Sequence, residues 1–364
     1  MLSLESAWGD MTKILVPSDK NVPLQEISRC AQVSQQFKGI SEKTWKSWNK
    51  ITIEGKEVPS EFLTFLLEKG IQELRIIGCK MLPPKSSQFE KVPVTIDENH
   101  PLQLKSLFID EECTGYDGLI TNVLINHPME RIELDSWHEN KGIISSEKFR
   151  EFIASLPQTG SQLKSLALVG FKLDRESLDY ILSCFKLEEL CIGANYVNTM
   201  ALFDTLYDPS FLNYISDNLT PSILKLDLSD VKIFDDNALC KLVSRCSKLQ
   251  TLDIRGSKVT WNGVSAIIDN LQCLEYLAVP SRIGEELGLG NKIDMLKMEK
   301  LRSMKQLKCL LIGNPNRYRT YNEILVKEMP HLIIPKDDCS FCVAMIDDSE
   351  HKEVEFLSPT NVNA

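Results

Sequence analysis

Large aliphatic residues recur along most of this chain in one short pattern, LxxLxL. Successive copies are separated by 24 residues (Leu166 to Leu190) to 36 residues (Leu190 to Leu226). In an L-x-L stretch alternate side chains point to opposite faces of a strand, so the leucines enter a core and the x residues line the other face. Each copy therefore predicts one short strand. The central positions of the nine copies are Leu74, Leu107, Ile132, Leu166, Leu190, Leu226, Leu252, Leu277 and Leu310.

Amphipathic helical patterns lie between these strands, at residues 145–156, 174–185, 235–246 and 260–271. Their apolar residues follow i, i+3, i+4 spacing, which gives each helix one apolar stripe. Asp174, Asp235 and Thr260 are residue types that cap helix N-termini. The longest interval, 195–217, is broken by Asp208 and Pro209 and predicts two short helices. One strand and one helix cannot close a core, so the units must stack.

The LxxLxL string at intervals of about 20–29 residues is the signature of leucine-rich repeats, and the longer intervals fit repeats with enlarged helices or loops. The predicted fold class is therefore α/β. Residues 51–334 are expected to form a solenoid of about nine or ten repeats, a horseshoe with a parallel sheet on its concave face and helices outside.

Residues 1–50 are different, because they contain no LxxLxL string. Two or three small helices in fifty residues cannot bury a sizeable core, so apolar surface is left for a partner. We therefore expect a small all-α module before the repeats. Its first apolar stripe comprises Leu4, Trp8, Met11 and Leu15. Its second comprises Leu24, Ile27, Cys30, Val33 and Phe37, with Trp48 beyond it.

Composition and charge narrow the class of partner. The chain has 364 residues, 43% of them hydrophobic and 25% charged, which is typical of a folded protein. Its net charge of −10 disfavours nucleic acid or a membrane as the main partner. No apolar run approaches the ~20 residues of a membrane helix, and the first residues do not resemble a signal peptide. Eleven cysteines scattered through apolar segments indicate free thiols in a reducing compartment, the cytoplasm and nucleus.

No catalytic motif is apparent in the sequence. Cys339 and Cys342 form a lone CxxC flanked by His331 and His351, a spacing that does not match a zinc site. The glycine spacings do not match a phosphate-binding loop. A basic stretch, 292–308, is expected to be a solvated helix face on the convex side. We expect a protein that is not an enzyme and needs no cofactor or metal.

The string ISRCAQVSQQF, residues 27–37, resembles the second half of an F-box, and Trp48 with Ile51 and Ile53 resembles its closing tryptophan and the strand that opens the repeats. An F-box followed by leucine-rich repeats is the architecture of the F-box/leucine-rich-repeat family. The resemblance implies a non-catalytic, substrate-recognition subunit of a Skp–cullin–F-box ubiquitin ligase. The F-box would bind the Skp adaptor and through it the cullin and RING subunits. The adaptor-binding residues would then be Leu4, Trp8, Met11, Leu15, Leu24, Ile27, Cys30, Val33, Phe37 and Trp48.

The repeats are expected to bind a target protein on their concave face, because the x positions there are not used by the core. The candidate residues are Asp227, Ser229, Asp253, Arg255 and Tyr276, and the resemblance adds Lys232 and Arg282, two basic residues just after strands. Because we expect Asp253 to point out of the core, Asp253→Ala should cost less than ~1 kcal/mol. Whether the target is phosphorylated, and whether a small cyclin-kinase-regulatory accessory subunit takes part, stays open. The alternative is a leucine-rich-repeat scaffold or inhibitor that binds one protein outside any ligase.

The last segment, residues 335–364, is acidic but keeps an apolar block at 341–346. A solvated tail has no reason to keep such a block, so we expect the tail to cap the last repeat or to run back along the concave face. The family resemblance favours the second arrangement. Residues 339–346 are expected to be ordered and those beyond Ser358 loose.

Overall fold

The computed structural model of the chain describes five main stretches and one short strand. These are residues 13–15; 50–82 without 55–56, 60–62, 64–65 and 68–69; 102–135 without 111, 117–122 and 126; 146–193 without 172, 174 and 185; 209–314 without 233; and 317–333. The chain divides into two compact units, one ending at Leu166 and the other beginning at Ala167.

The first unit contains a sheet whose strands follow one another as the LxxLxL pattern predicts. β2, β4, β6 and β7 are parallel neighbours in that order, and β1 pairs antiparallel with β2. β3 and β5 form a separate parallel pair. The leucine positions Leu74 and Leu107 are opposite each other and fully buried. These strands are β1 (Lys13–Leu15), β2 (Lys50–Glu54), β3 (Glu57–Pro59), β4 (Glu73–Ile77), β5 (Lys80–Leu82), β6 (Ser106–Ile109) and β7 (Arg131–Asp135).

The second unit repeats the arrangement with more regular spacing. β9 to β13 are parallel neighbours in chain order. The leucines of the repeat align across them into one continuous buried ladder: Leu190, Leu226, Leu252, Leu277 and Leu310. This register confirms that the central leucines of successive copies lie side by side on one face of the sheet. The strands are β8 (Ser165–Val169), at the division of the units, β9 (Glu189–Cys191), β10 (Lys225–Asp227), β11 (Thr251–Asp253), β12 (Tyr276–Val279) and β13 (Cys309–Ile312).

Helices follow the strands and bury the stripes that the sequence predicts. In α4 the buried residues include Leu239, Leu242 and Val243, and in α5 they include Val264 and Ile267. The four helices predicted between strands are confirmed as α1, α2, α4 and α5, and α1 runs beyond its predicted end. The helices are α1 (Ser146–Thr159), α2 (Arg175–Leu182), α3 (Pro209–Asn218), α4 (Asp236–Arg245), α5 (Trp261–Asn270), α6 (Arg282–Glu286), α7 (Met295–Arg302) and α8 (Arg319–Glu328).

Two of the predicted helix caps are also confirmed. The Asp235 carboxylate accepts the backbone N–H of Ala238 at 3.0 Å, and the Thr260 hydroxyl accepts that of Asn262 at 3.3 Å. Such caps satisfy N–H groups that the first helical turn cannot pair internally. The repeating strand and helix, parallel sheet and leucine ladder together make this a leucine-rich-repeat-like fold.

Residues of α8 and Ile333 cover the open edge of β13, the last strand of the second unit. In α8 the Asn322 side-chain oxygen accepts the backbone N–H of Ile312 at 3.1 Å. Ile333 forms a parallel bridge with Cys309, and its N–H donates to Lys308 O at 2.8 Å. Leu325 is fully buried beneath this covering. The last strand is therefore capped by residues that precede the acidic tail.

The structure corrects one prediction for the N-terminal residues. Several other predictions concern residues outside the part of the chain that the structure describes. Residues Lys13–Leu15 form a strand, so Leu15 is not part of a helical stripe. Pairing with β2 supplies the backbone hydrogen bonds there. Within 195–217 the structure describes one helix, α3, and no part of 194–208. Outside the described residues lie Leu4, Trp8, Met11, Leu24, Ile27, Cys30, Val33, Phe37, Trp48, the cap Asp174 and the tail 335–364.

Candidate functional site

One row of side chains crosses the second unit on the sheet face opposite the leucine ladder. Pairing places Cys191, Asp227, Asp253, Ala278 and Leu311 opposite one another on five successive strands. We name these five residues the central row. Alternation along each strand puts them on the face where the sequence predicts a target-binding surface.

The central row is buried rather than exposed. Asp227, Asp253, Ala278 and Leu311 are all 0% exposed, and Cys191 is 6% exposed. Ser229, two residues after Asp227, is 2% exposed. The prediction that Asp227, Ser229 and Asp253 lie on an accessible face is therefore wrong. Strand alternation assigns a side chain to a face, but it does not determine whether that face meets solvent.

Asp253 is held by the residue two positions after it. The Arg255 guanidinium donates to both carboxylate oxygens, from Nε at 3.0 and 3.1 Å and from Nη2 at 2.7 Å. The backbone N–H of Arg255 also donates to Asp253 Oδ1 at 2.9 Å. A buried carboxylate needs such compensation, because transfer of a charge out of water costs several kcal/mol. Arg255 is itself half-buried, so the pair is a structural element of this face.

Asp227 organises the neighbouring strand in the same way. Its carboxylate accepts the backbone N–H of Ser229 at 2.7 Å and the thiol of Cys191 at 3.4 Å. Gly193 lies directly against this pair, since a Cβ there would come within 2.6 Å of Asp227 Oδ1. The Ser229 hydroxyl is buried without a hydrogen-bond partner among the residues that the structure describes.

Burial changes the acidity of two carboxyl groups in this region. It raises the pKa of Asp253 to about 6, against the opposing effect of Arg255. It raises the pKa of Asp230 to about 7, and the charge of Asp253 adds to that shift. Both shifts have desolvation as their main cause, which disfavours the charged form of an acid.

The remaining candidate residues lie at the border of this face. Tyr276 is half-buried and packs against Ala278, Cys309 and Leu311. Lys232 is half-buried on the turn after β10, and Arg282 is exposed at the start of α6, after β12. The structure thus brings Asp227, Ser229, Asp253 and Arg255 together, and places Lys232 and Arg282 at the ends of the strands.

Lys258 is a residue that the sequence prediction missed. It is exposed, and its backbone carbonyl accepts the Arg282 guanidinium at 3.4 Å. The repeat period contains the signal that identifies it. Lys232 lies six residues after Leu226, and Lys258 lies six residues after Leu252.

The first unit presents a different face at the equivalent positions. Arg75 and Phe108 are opposite each other on β4 and β6, and the guanidinium lies 4.4 Å from the ring centroid. Both are half-buried, as are Arg131 and Glu133 on β7. A guanidinium over an aromatic face is a favourable contact of about 0.5–1 kcal/mol when partly exposed.

Within the described residues, no group of three or more His, Cys, Asp or Glu side chains is arranged to hold a metal ion. None of the helices in that part of the chain has the length and apolar character needed to cross a membrane.

Comparison with known proteins finds similar folds and no similar sequence. No protein-family model matches the chain, and no curated protein matches it. Internalin InlF of Listeria monocytogenes is 14% identical over 85% of this chain and 86% of its own, with a TM-score of 0.42. Internalin C2 of the same organism is 14% identical over 70% and 91%, with a TM-score of 0.42. The leucine-rich repeat-containing protein LegL7 of Legionella pneumophila is 11% identical over 84% and 93%, with a TM-score of 0.43. Similarities of this size give no information about function.

Proposed function

We propose that this chain is the substrate-recognition subunit of a Skp–cullin–F-box ubiquitin ligase. It would catalyse nothing itself. It would raise the effective concentration of a target protein near a ubiquitin-charged enzyme held elsewhere in the complex. The proposed place of action is the cytoplasm and nucleus.

The observation that carries this proposal is the order of two sequence features. The F-box-like string at 27–37 and Trp48 come first, and the buried strand β2 begins at Lys50, two residues later. Ile51 and Ile53 of that strand are buried, so the repeat core starts where the F-box resemblance ends. Adaptor binding and target binding would thus belong to consecutive segments.

Within the F-box/leucine-rich-repeat family the sequence most resembles the S-phase-kinase-associated F-box protein, through the order of its segments and the stretch from Glu328 to Leu332 before a cysteine-containing tail. The proposed partners are therefore the Skp adaptor with its cullin and RING subunits, a target protein and a cyclin-kinase-regulatory accessory subunit.

Adaptor binding tests the proposal directly. Ile27→Glu with Val33→Glu places charges on the apolar stripe, and it should abolish recovery of the full chain with purified Skp adaptor. Gln32→Glu with Gln36→Glu is the matched control, because those residues lie on the opposite side of the helical pattern. The control should bind like the unchanged chain, and both variants should unfold at the same temperature. Adaptor recovery by the Ile27/Val33 variant at the level of the unchanged chain would refute the F-box assignment.

A second function is favoured by strand β1. Residues Lys13–Leu15 extend the sheet of the repeats, as an N-terminal capping strand does. This observation favours a leucine-rich-repeat scaffold or inhibitor that binds one protein outside any ligase. Absence of the unchanged chain from the adaptor pull-down at micromolar protein would decide for this alternative.

A further inference from the structure

The turn between α3 and β10 carries one of the two places in the chain where proline follows a serine or threonine. These are Thr220 with Pro221 and Ser358 with Pro359. Proline-directed protein kinases recognise a serine or threonine that is followed directly by proline. The first of the two places lies in the described part of the chain, just beyond the end of α3 at Asn218. Thr220 is therefore a candidate acceptor of a phosphoryl group.

The Thr220 hydroxyl lies at the surface in a well-defined turn. Thr220 is half-buried and Pro221 is exposed. The N–H of Ile223 donates to Thr220 O at 3.2 Å, which makes a β-turn with proline at its second position. The Thr220 hydroxyl contacts the Ser222 hydroxyl at 2.9 Å and accepts the N–H of Ser222 at 3.4 Å. These contacts lie within the turn itself, so a kinase has only local hydrogen bonds to break.

The turns that precede β9 and β11 contact this turn on either side. The Ser222 hydroxyl donates to Leu187 O at 3.1 Å, which joins the turn to the one before β9. The Cys246 thiol donates to Thr220 O at 3.8 Å, which joins it to the one before β11. Side chains of both neighbouring repeats are therefore close to the Thr220 hydroxyl.

Three exposed cations lie on these neighbouring repeats. Lys186 and Lys248 occupy the same repeat position as Ser222, each one residue before the first apolar residue of an LxxLxL copy. Neighbouring strands are ≈ 4.8 Å apart, so a lysine side chain is long enough to reach the next turn. The third cation is Arg245, whose guanidinium donates to Leu219 O at 3.5 Å. We name Lys186, Arg245 and Lys248 the cation triad.

The three turns, with the adjoining helix and strand ends, have an excess of positive charge. Over residues 183–189, 217–225 and 241–250 the cations outnumber the carboxylates by five to three: Lys186, Lys225, Lys241, Arg245 and Lys248 against Asp217, Glu188 and Glu189. Two of these cations are in ion pairs, Lys225 with Glu189 at 3.1 Å and Lys241 with Asp217 at 3.7 Å. A phosphate adds about −2 at neutral pH, which balances the excess.

Helix ends do not account for the two lysines of the cation triad. A cation stabilises a helix C-terminus when it lies within the last turn. Arg245 is the last residue of α4 and meets that condition. Lys248 lies beyond the end of α4, and Lys186 lies beyond the end of α2 at Leu182. The charges of both lysines are therefore available to another anion.

We propose that Thr220 is the substrate of a proline-directed protein kinase and that the cation triad holds the resulting phosphate. In the transfer the Thr220 hydroxyl oxygen bonds to the γ-phosphorus of ATP, and the bond from that phosphorus to the β–γ bridging oxygen breaks. ADP leaves, and the hydroxyl proton goes to the base of the kinase. The phosphate then joins three repeats through charge-assisted hydrogen bonds, so phosphorylation stabilises the second unit. The inference does not depend on the ligase proposal.

Phosphorylation of the full chain tests the site. The Ser358→Ala chain, which lacks the other acceptor before proline, is incubated with purified mitogen-activated protein kinase, Mg²⁺ and ATP. Mass spectrometry of its peptides should find a phosphoryl group on Thr220. In the same background, Thr220→Ser keeps an acceptor hydroxyl and should still be modified, whereas Thr220→Ala should not.

Two results of that experiment would overturn the proposal. One is a folded Ser358→Ala chain that gains no phosphate on Thr220. The other is modification of Thr220 only after the chain has been unfolded in urea, because the folded turn would then be closed to a kinase. All variants should unfold at the temperature of the unchanged chain before phosphorylation, so that differences in modification report the site and not the fold.

Thermal unfolding of the phosphorylated chain tests the cation triad. Phosphorylation should raise the unfolding temperature by about 2 °C or more at ~50 mM salt, and the rise should shrink at ~500 mM because exposed charges are screened. Lys186→Gln with Lys248→Gln should abolish the rise. The matched control is Lys258→Gln with Lys305→Gln, two exposed lysines on other turns of the second unit, and it should keep the rise. No rise in the unchanged chain, or an equal rise in both variants, would refute the triad.

Discussion

The backbone of Gly256 packs against Asp230, so that a Cβ at residue 256 would lie 2.9 Å from the Asp230 Cα. The two residues occupy equivalent places in successive repeats, and both have positive φ, 58° at Asp230 and 72° at Gly256. The N–H of Asp230 donates to Arg255 O at 2.7 Å, which fixes the approach. One repeat therefore has glycine at this left-handed turn and the other has aspartate, which tolerates a positive φ better than most residues.

Gly256→Ala should lower the free energy of unfolding by about 2–4 kcal/mol. The left-handed conformation costs a residue with Cβ about 1–2 kcal/mol, and the contact with Asp230 adds to that cost. Urea unfolding measures the change. Gly290→Ala is the control, because a Cβ there would meet nothing closer than the Tyr321 ring at 3.8 Å, and it should change stability by less than about 1 kcal/mol. Similar losses in the two variants would contradict the packing at Gly256.

Asp230→Asn should stabilise the chain increasingly as pH rises from about 4 to about 7. The pKa of Asp230 is raised from 3.8 to about 7, so the folded state keeps a proton that the unfolded state releases. The unchanged chain thus loses stability over that range, while asparagine has no charge to bury. The gain at pH 8 relative to pH 5 should be on the order of 1–3 kcal/mol. A difference between the two proteins that does not vary with pH would disprove burial as the cause of the shift.

Asp253→Ala should cost about 3 kcal/mol, more than the sequence pattern suggests. Removal of the carboxylate leaves the half-buried Arg255 guanidinium without its bidentate partner. A double-mutant cycle with Arg255→Ala, followed by urea unfolding, separates the interaction from the separate costs of the two side chains. Additive effects of the two substitutions would show that the pair is not coupled.

Leu252→Ala should lower the free energy of unfolding by about 2–5 kcal/mol, as truncation of a buried leucine does. Leu252 is fully buried in the ladder between Leu226 and Leu277. Gln250→Ala, two residues earlier and exposed, should change stability by less than about 0.5 kcal/mol in the same thermal or urea unfolding experiment. If the two losses are alike, the register of the ladder is wrong.

The repeated part of this fold was predictable because its signal is periodic. Leu226, Leu252 and Leu277 recur in the same sequence context, and Asp235 and Thr260 recur just before helices, so pattern alone locates both strands and caps. The burial of Asp227 and Asp253 was not predictable, because alternation along a strand does not determine what covers a face. Lys13–Leu15 could not be identified as a strand from its own residues, since its pairing partner Lys50–Glu54 is distant in sequence.

The candidate site shows the same division between local and non-local information. Lys232 and Arg282 are named by the family resemblance, and Lys258 follows when the six-residue spacing from Leu226 to Lys232 is applied to Leu252. The pairing of Arg255 with Asp253 is local in sequence. Its contribution to the free energy of unfolding, however, depends on burial, which is a property of the folded chain.

The covering of β13 also bears on self-association. A parallel sheet with a bare terminal strand offers its unpaired N–H and C=O groups to another copy of the same strand. In this chain the Asn322 side chain occupies the N–H of Ile312, and Ile333 occupies Lys308 O. An incoming strand would have to displace both before it could pair with β13. This covering therefore disfavours pairing of β13 with the same strand of another copy.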